Sequence, residues 1–138
     1  MTSVNTPAAT TAGRALKVLV AEDNIINQRL LVALLTQLGH TGIVVSDGEK
    51  ALKLLSKMHV DLVLMDVMMP NMDGLEALAA IRAKEAVEGG HVPVVMATAH
   101  DEPSDAARFK DAGADGFLAK PLDLQRLKSE ISRLLSQT

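Results

Sequence analysis

Short apolar runs alternate along the chain with longer stretches in which apolar residues recur at helical spacing. The runs predict five strands, over residues 16–21, 43–45, 60–66, 93–98 and 116–119. Helices are predicted between and after them, because apolar residues follow the i, i+3, i+4, i+7 pattern, as over residues 31–38. Gly39 is expected to stop the first helix, and Asp123 to be the N-cap of the last. The order of elements is therefore five consecutive β-α units.

Five β-α units in sequence predict an α/β fold with a doubly wound parallel sheet and helices on both faces. Right-handed crossovers favour a flavodoxin-like (βα)5 arrangement with strand order 2-1-3-4-5. Residues 1–15 are mostly Thr, Ala, Ser, Asn, Pro and Gly with one charge, Arg14. They cannot bury enough apolar area to offset their ordering entropy, so we predict a disordered tail, more simply a linker remnant than a functional arm. Residues 16–138 would form the single domain.

Composition excludes several classes of function. The net charge is -3 and the pI is near 5.7, with no Lys/Arg-rich run, which argues against direct nucleic-acid binding. The absence of Trp and Tyr nearly rules out stacking on bases, and the absence of Cys excludes disulfides and thiolate metal sites. No apolar run approaches the ~20 residues that span a bilayer, and the start of the chain does not resemble a secretory signal. A cytoplasmic protein without a membrane partner is the default expectation.

Polar side chains with distinct chemistry close four of the predicted strands. Asp66 ends the third strand, Glu22 and Asp23 follow the first, Thr98 ends the fourth and Lys120 follows the fifth. Because parallel strands end at the same edge of a sheet, where open α/β folds hold their ligands, we expect these groups to meet. Each alone has an ordinary interpretation, since Thr is common in strands and a lysine before a helix is usually a surface residue. The hypothesis rests on their coincidence.

Three carboxylates at one edge repel each other unless a cation lies among them or some of their pKa values rise. Hard oxygen ligands favour a divalent ion, Mg²⁺ by preference, with Mn²⁺ as a second possibility. The alternative for Glu22 and Asp23 is that they only cap the first helix, together with Asn24 or Asn27. The scattered histidines at 40, 59 and 91 do not suggest a metal cluster.

Taken together, the motifs resemble the receiver domain of two-component response regulators, over about residues 16–138. The similarity is carried, in this order, by Glu22-Asp23-Asn24, Met65-Asp66, Met69-Pro70, Met72-Asp73-Gly74, Thr98-Ala99 and Lys120-Pro121. The combination is highly specific, although each piece alone is not. Asn24, Asn27 and Gly39-His40 are more similar to receivers attached to hybrid sensor kinases than to those fused to DNA-binding domains.

The resemblance implies a signalling domain that catalyses only its own phosphorylation and dephosphorylation. Asp66 would take a phosphoryl group from a phosphohistidine on a sensor histidine kinase or a histidine phosphotransfer protein. Lys120 and Thr98 would contact phosphoryl oxygens. Mg²⁺ would be held by Glu22, Asp23, Asp66 and the backbone carbonyl of Met68.

The resemblance also implies a switch on the face formed by the fourth helix, fifth strand and fifth helix. Thr98 would shift toward the phosphoryl group and Phe117 would turn inward, with a phosphorylation-dependent homodimer as one possible output. Met68 and His100 occupy positions that tune how fast the acyl phosphate hydrolyses in the family. The fourth helix, with Ala106, Ala107 and Phe109, offers a weakly apolar patch for a partner.

Three alternatives stay open at this point. A pseudo-receiver that binds partners without phosphorylation would be expected to lack an acid, Thr98 or Lys120. An aspartyl-phosphate hydrolase would carry a second Asp where Met68 stands. A nucleotide or flavin protein would need a Gly-rich or Ser/Thr-rich loop after the first strand. The chain is expected to be either a free-standing receiver or a piece of a larger protein.

Overall fold

The computed structural model describes residues 15–99 and 103–136, so residues 1–14 of the predicted tail, and His100, lie outside the described residues. Strands and helices alternate throughout, as the hydrophobic pattern predicts. The strands are β1 (Lys17–Ala21), β2 (Thr41–Val45), β3 (Leu62–Asp66), β4 (Val94–Thr98) and β5 (Gly116–Ala119). The helices are α1 (Ile25–Gln37), α2 (Gly48–Leu55), α3 (Gly74–Glu88), α4 (Pro103–Asp111) and α5 (Leu124–Leu135).

All neighbouring strands pair in parallel in the order β2-β1-β3-β4-β5, which confirms the flavodoxin-like prediction. The register aligns the strand ends: Asp66 lies opposite Ala97, Thr98 lies opposite Ala119, and Ala21 pairs with the residue before Asp66. The residues that leave β1, β3, β4 and β5 therefore emerge at one level of the same edge.

The sheet separates two apolar clusters because successive side chains of a strand point to opposite faces. On one face, Val18 and Val20 of β1 pack with the buried leucines of α1 and with Leu127 and Ile131 of α5. On the other face, β1 contributes Leu19 and Ala21 to the cluster. Its further members include Val63, Met65, Ala77, Leu78, Ile81, Met96 and Phe109, from β3, α3, β4 and α4. The two clusters share no buried residue among those described.

Several element boundaries differ from the sequence-based expectation. β2 begins two residues before its apolar run, because Thr41 already pairs with Lys17 in the ladder. α2 ends at Leu55, short of Met58, which packs against the second cluster from the loop. Asp123 is the N-cap of α5 as predicted, its side chain accepting from the Arg126 N–H at 2.8 Å. No helix in the described ranges is long and apolar enough to cross a membrane.

The expectation that Phe109 belongs to an exposed partner patch is wrong. Its side chain is 1% exposed, and its ring lies 6.2 Å from that of Phe117, centroid to centroid. α4 is so polar that its single large apolar residue takes the face that packs on the sheet, leaving Arg108 and Lys110 outside.

His40 anchors the beginning of β1. Its Nδ1 accepts the Leu16 N–H at 3.0 Å, and its side chain is buried. Burial lowers the pKa of His40 below its usual value. The imidazole is therefore held in its neutral form, with Nδ1 unprotonated.

Candidate functional site

Asp66 lies at the carboxyl end of the central strand β3, where both faces of the sheet are covered and only the edge is open. Every residue of β3 is buried, and Asp66 itself is 6% exposed. Gly74, at the start of α3, packs directly under it: a Cβ at that position would collide with the Asp66 carbonyl oxygen. The glycine of the Asp73-Gly74 motif is thus required by the close approach of α3 to the end of β3.

Glu22 and Asp23 bring two further carboxylates to the same edge. Glu22 is 1% exposed, whereas Asp23 is exposed. Neither acid caps α1, since the N-cap is Asn24, whose side chain accepts from the Asn27 N–H at 3.0 Å. The N-cap position is thus occupied by Asn24, and Glu22 supports it by accepting the Asn24 N–H through Oε2 at 3.0 Å. The other Glu22 oxygen, Oε1, faces Lys120, and Asp23 is exposed at the rim.

Lys120 reaches across the edge to the acids. Its Nζ lies 2.9 Å from Glu22 Oε1 and 2.9 Å from Asp66 Oδ1. The Lys120 N–H donates to the Thr98 carbonyl at 2.7 Å, which extends the pairing of β5 with β4, and the Lys120–Pro121 peptide is cis. The ammonium is consequently a partly buried component of the site rather than a surface lysine.

The pKa values of the three contacting groups reflect this arrangement. Burial raises the pKa of Asp66, and the Lys120 hydrogen bond offsets this only partly because the charge of Glu22 adds to the effect. Burial also raises the pKa of Glu22, but hydrogen bonds from the Asn24 backbone and Lys120 outweigh it and leave a net lowering. The pKa of Lys120 is raised, since its bonds to both acids exceed the cost of burial. Among the described residues, Lys120 is the cation that pairs with both buried acids.

The carboxylates of Glu22, Asp23 and Asp66 form a donor set that fits a hard divalent cation. Each offers an oxygen, and these oxygens lie within 4.8 Å of one another. A single ammonium contacts two of these carboxylates, so the site keeps a net negative charge and is rich in oxygen atoms. Mg²⁺ and Mn²⁺ prefer such surroundings. The acidic cluster expected from the sequence is present.

A cavity of about 480 Å³ opens beside Asp66. Thr98, which is 4% exposed, and Lys120 line it together with Met68, whose side chain is 74% exposed. The sequence analysis missed two charged residues that also line it, Asp105 and Arg108 of α4, because nothing in the local sequence places that helix over the edge. The cavity has room for a small anionic group beside the acids and the ammonium.

Gln28 is another residue that the sequence analysis missed. Its Nε2 donates to the Glu22 carbonyl at 2.6 Å. Helical spacing offered a signal, since Gln28 stands one turn after Asn24 and can reach back over the end of β1. The bond fixes the backbone from which Glu22 and Asp23 project.

Phe117 is half-buried in β5, where it lies opposite Met96 and packs against the second apolar cluster. Its ring is tilted by 55° from that of the buried Phe109. The structure thus places Phe117 beside α4, on the face of the sheet that holds the second cluster.

A larger groove of about 800 Å³ lies at the opposite end of the sheet, between residues such as Leu55, Val60 and Pro93. Its walls are mainly apolar, and two of its carboxylates already accept hydrogen bonds, Asp61 from the Lys17 N–H and Glu85 from Arg82. By volume alone, this groove would be the candidate functional site. The convergence of three acids and an ammonium selects the edge at Asp66.

Comparison with known proteins shows which sequences and folds this chain is similar to. The model of the "Response regulator receiver domain" family matches residues 18–132. The chain is 41% identical over 121 residues to hybrid signal transduction histidine kinase I of Dictyostelium discoideum, a match that covers 84% of this chain and 7% of that protein. Identity to the Escherichia coli sensor histidine kinase RcsC is 39% over 115 residues, covering 83% of this chain and 12% of the kinase. The chain therefore spans a small fraction of the length of these relatives.

Among solved structures, the receiver domain of a signal transduction histidine kinase from Syntrophus aciditrophicus matches with a TM-score of 0.78 and 31% identity. That match covers 90% of this chain and 92% of the other. The similarity therefore extends over the five-stranded fold.

Proposed function

The chain belongs to the response regulator receiver domain family, and from that premise we propose that Asp66 accepts a phosphoryl group from a partner's phosphohistidine in a Mg²⁺-dependent reaction. One observation carries the proposal: Asp66, Glu22 and Asp23 converge at a strand edge, and Lys120 contacts the first two at 2.9 Å.

In the proposed reaction a carboxylate oxygen of Asp66 attacks the phosphorus of the phosphohistidine. The P–N bond breaks as the O–P bond forms, its electron pair stays on the ring nitrogen, and the histidine, which carries a proton on its other ring nitrogen, leaves as neutral imidazole. Burial and the Lys120 contact hold the attacking carboxylate at one position, so little orientation has to be gained during transfer. Lys120 already touches Asp66 Oδ1 and is placed to follow the negative charge onto the phosphoryl oxygens.

Glu22, Asp23, Asp66 and the Met68 carbonyl would hold the divalent ion. When bound, it offsets the negative charge that the acids and the phosphoryl oxygens share. The role of this chain is to keep the ligands close: Gln28 and Asn24 fix the backbone and carboxylate of Glu22 before any ion arrives. Mn²⁺ would suit the same oxygen donors.

The proposed switch uses the same parts. Phosphorylation adds about -1.5 to -2 charges at neutral pH, and the Thr98 hydroxyl is the group proposed to move toward it. Because Phe109 fills the space beside Phe117, an inward turn of Phe117 would repack α4 against β5. A phosphorylation-dependent homodimer and a cytoplasmic location stay predictions, and size-exclusion chromatography with and without beryllofluoride checks the former.

The partner's docking surface is proposed from exposed apolar residues near the acids. Ile25 and Ile26 are 60% and 74% exposed at the start of α1, and Met68 is 74% exposed beside the cavity. Such residues gain from burial against a helix that presents a phosphohistidine. The proposed partner is accordingly a histidine kinase or a histidine phosphotransfer protein.

Intact mass spectrometry after incubation with Mg²⁺ and acetyl phosphate tests the reaction. We expect a gain of one phosphoryl group that disappears with EDTA or with Asp66→Asn. If the unmodified chain gains no mass and also fails to bind beryllofluoride, the phosphoacceptor proposal is wrong. A pseudo-receiver that only binds partners is then favoured.

A further inference from the structure

The loop between Asp66 and α3 is fastened at both of its ends. At its start, the Val67 N–H donates to the Ala97 carbonyl at 3.0 Å, and the Val67 carbonyl accepts the Gly74 N–H at 2.8 Å. Met68, whose backbone carbonyl is the proposed metal ligand, comes immediately after this anchor. Its side chain is 74% exposed and cannot hold the backbone in place. A second anchor, farther along the loop, holds the residues that follow Met68.

The second anchor is Asp47, at the start of α2. Its carboxylate is 3% exposed, and each oxygen has a partner: Oδ1 accepts the Lys50 N–H at 2.8 Å, and Oδ2 accepts Asn71 Nδ2 at 2.9 Å. The first bond is an ordinary helix cap, for which one oxygen is enough. The second bond crosses 24 residues of sequence to the loop that follows Asp66. These hydrogen bonds lower the pKa of Asp47, which keeps it ionised as an acceptor.

The loop also meets α2 through its backbone. The Gly48 N–H donates to the Met72 carbonyl at 3.0 Å, and a Cβ at Gly48 would lie 2.7 Å from that oxygen. Asn71 has a φ of 67°, a left-handed conformation that Asn tolerates better than most residues. Loop and helix are thus in close contact at adjacent residues, and the side-chain bond selects the loop conformation that permits it.

We propose that Asp47 and Asn71 are positioning residues for the divalent-ion site, acting through the loop on the backbone carbonyl of Met68. The inference rests on the proposed metal-dependent phosphorylation of Asp66. The Asp47–Asn71 bond fixes the loop before an ion binds. The Met68 carbonyl is then already in place, and ordering it does not reduce the free energy of ion binding. α2 serves here as a rigid support for a ligand on another element.

Two single substitutions remove this bond from opposite sides while preserving local structure. Asp47→Ser keeps a cap oxygen for the Lys50 N–H but is too short to offer a second acceptor to Asn71. Asn71→Gly removes the donor and suits the left-handed φ. Ser46→Ala is the matched control, because Ser46 contacts Lys50 at the same junction and does not reach the loop.

We expect both substitutions to raise the Mn²⁺ dissociation constant, measured by EPR titration, about 10-fold, as for other supporting partners of metal ligands. The Mg²⁺ concentration for half-maximal phosphorylation by acetyl phosphate should rise by the same factor, with the rate at saturating Mg²⁺ unchanged. The double variant should be no worse than either single one. Asp47→Asn combined with Asn71→Asp exchanges donor and acceptor without changing net charge, and it should restore tight binding.

If Asp47→Ser and Asn71→Gly leave the Mn²⁺ dissociation constant unchanged, the inference is overturned. The proposed function is upheld in that case as long as the wild-type chain is phosphorylated. A lower maximal rate at saturating Mg²⁺ with an unchanged constant would also overturn it. If the wild-type chain bound no Mn²⁺ and gained no phosphoryl group, the proposed function itself would fail. Thermal unfolding without metal, followed by circular dichroism, separates loss of folded protein from loss of affinity.

Discussion

Lys120 provides the sharpest test of how charge is balanced at the site. Replacing Lys120 with Met keeps an unbranched side chain and removes the ammonium that lies 2.9 Å from both Glu22 and Asp66. At an effective dielectric of 20, each of these contacts corresponds to ~6 kcal/mol of attraction before the cost of desolvation. Removal of one partner of a buried pair costs about 3–5 kcal/mol, and less where water reaches the pair. Because Lys120 is 23% exposed, we expect Lys120→Met to lower the free energy of unfolding by about 2–3 kcal/mol in metal-free buffer at neutral pH.

Mg²⁺ should reverse much of this loss. Without the ammonium, Glu22, Asp23 and Asp66 have no bound cation to offset their charge, and a divalent ion should bind them more tightly than in the wild-type chain. An ion present at ~100 times its dissociation constant stabilises a fold by about 2.7 kcal/mol. The measurement is urea unfolding followed by far-UV circular dichroism, with EDTA or with Mg²⁺. The result that would refute the reasoning is a Lys120→Met chain whose loss of stability is as large with Mg²⁺ as with EDTA.

Three further predictions address the fold and the docking surface. The free energy of unfolding should decrease as the pH falls from about 6.5 through the lowered pKa of His40, because the imidazole takes up its proton at a higher pH in the unfolded chain than in the folded one. His40→Asn keeps an acceptor for the Leu16 N–H, and urea titrations of this variant should no longer show this pH dependence. Gly74→Ala should cost about 1–3 kcal/mol and abolish phosphorylation by displacing Asp66, and an unaffected chain would contradict the close approach of α3. Ile26→Glu should slow transfer from a phosphorylated histidine phosphotransfer protein without changing labelling by acetyl phosphate, whereas Val87→Glu, on a residue that is 86% exposed at the far end of α3, should change neither.

The sequence predicted the sheet and the residues of its edge because both depend on local patterns. The apolar run that ends in Asp66 is fully buried, and parallel strands bring their carboxyl ends together whatever the helices do. The N-cap of α5 follows from one residue, Asp123, and its immediate neighbours.

Features that depend on contacts distant in sequence could not be predicted in this way. The burial of Phe109 follows from how α4 lies on the sheet, and the weak periodicity of that helix gives no indication of its inner face. The bond between Asp47 and Asn71 joins two loops, each of which has an ordinary local explanation as a cap or a turn. Asn24, and neither of the two preceding acids, is the N-cap of α1. The Lys120 contact that engages Glu22 comes from 98 residues away, and the local sequence does not indicate it.

The separation of the apolar interior into two clusters has an implication for how such a chain can diversify. α1, which carries Ile26, packs on one side of the sheet through Leu31, Leu34 and Leu35. The ring pair of Phe109 and Phe117 belongs to the other side. Substitutions that reshape the interior beneath α1 would therefore leave the packing of this ring pair as it is, although they would reach α5, which packs on the same side as α1. The β-sheet thus separates the helix proposed to bind the donor from the ring pair proposed to switch, and α5 is the element of the proposed switch face that shares an interior with α1.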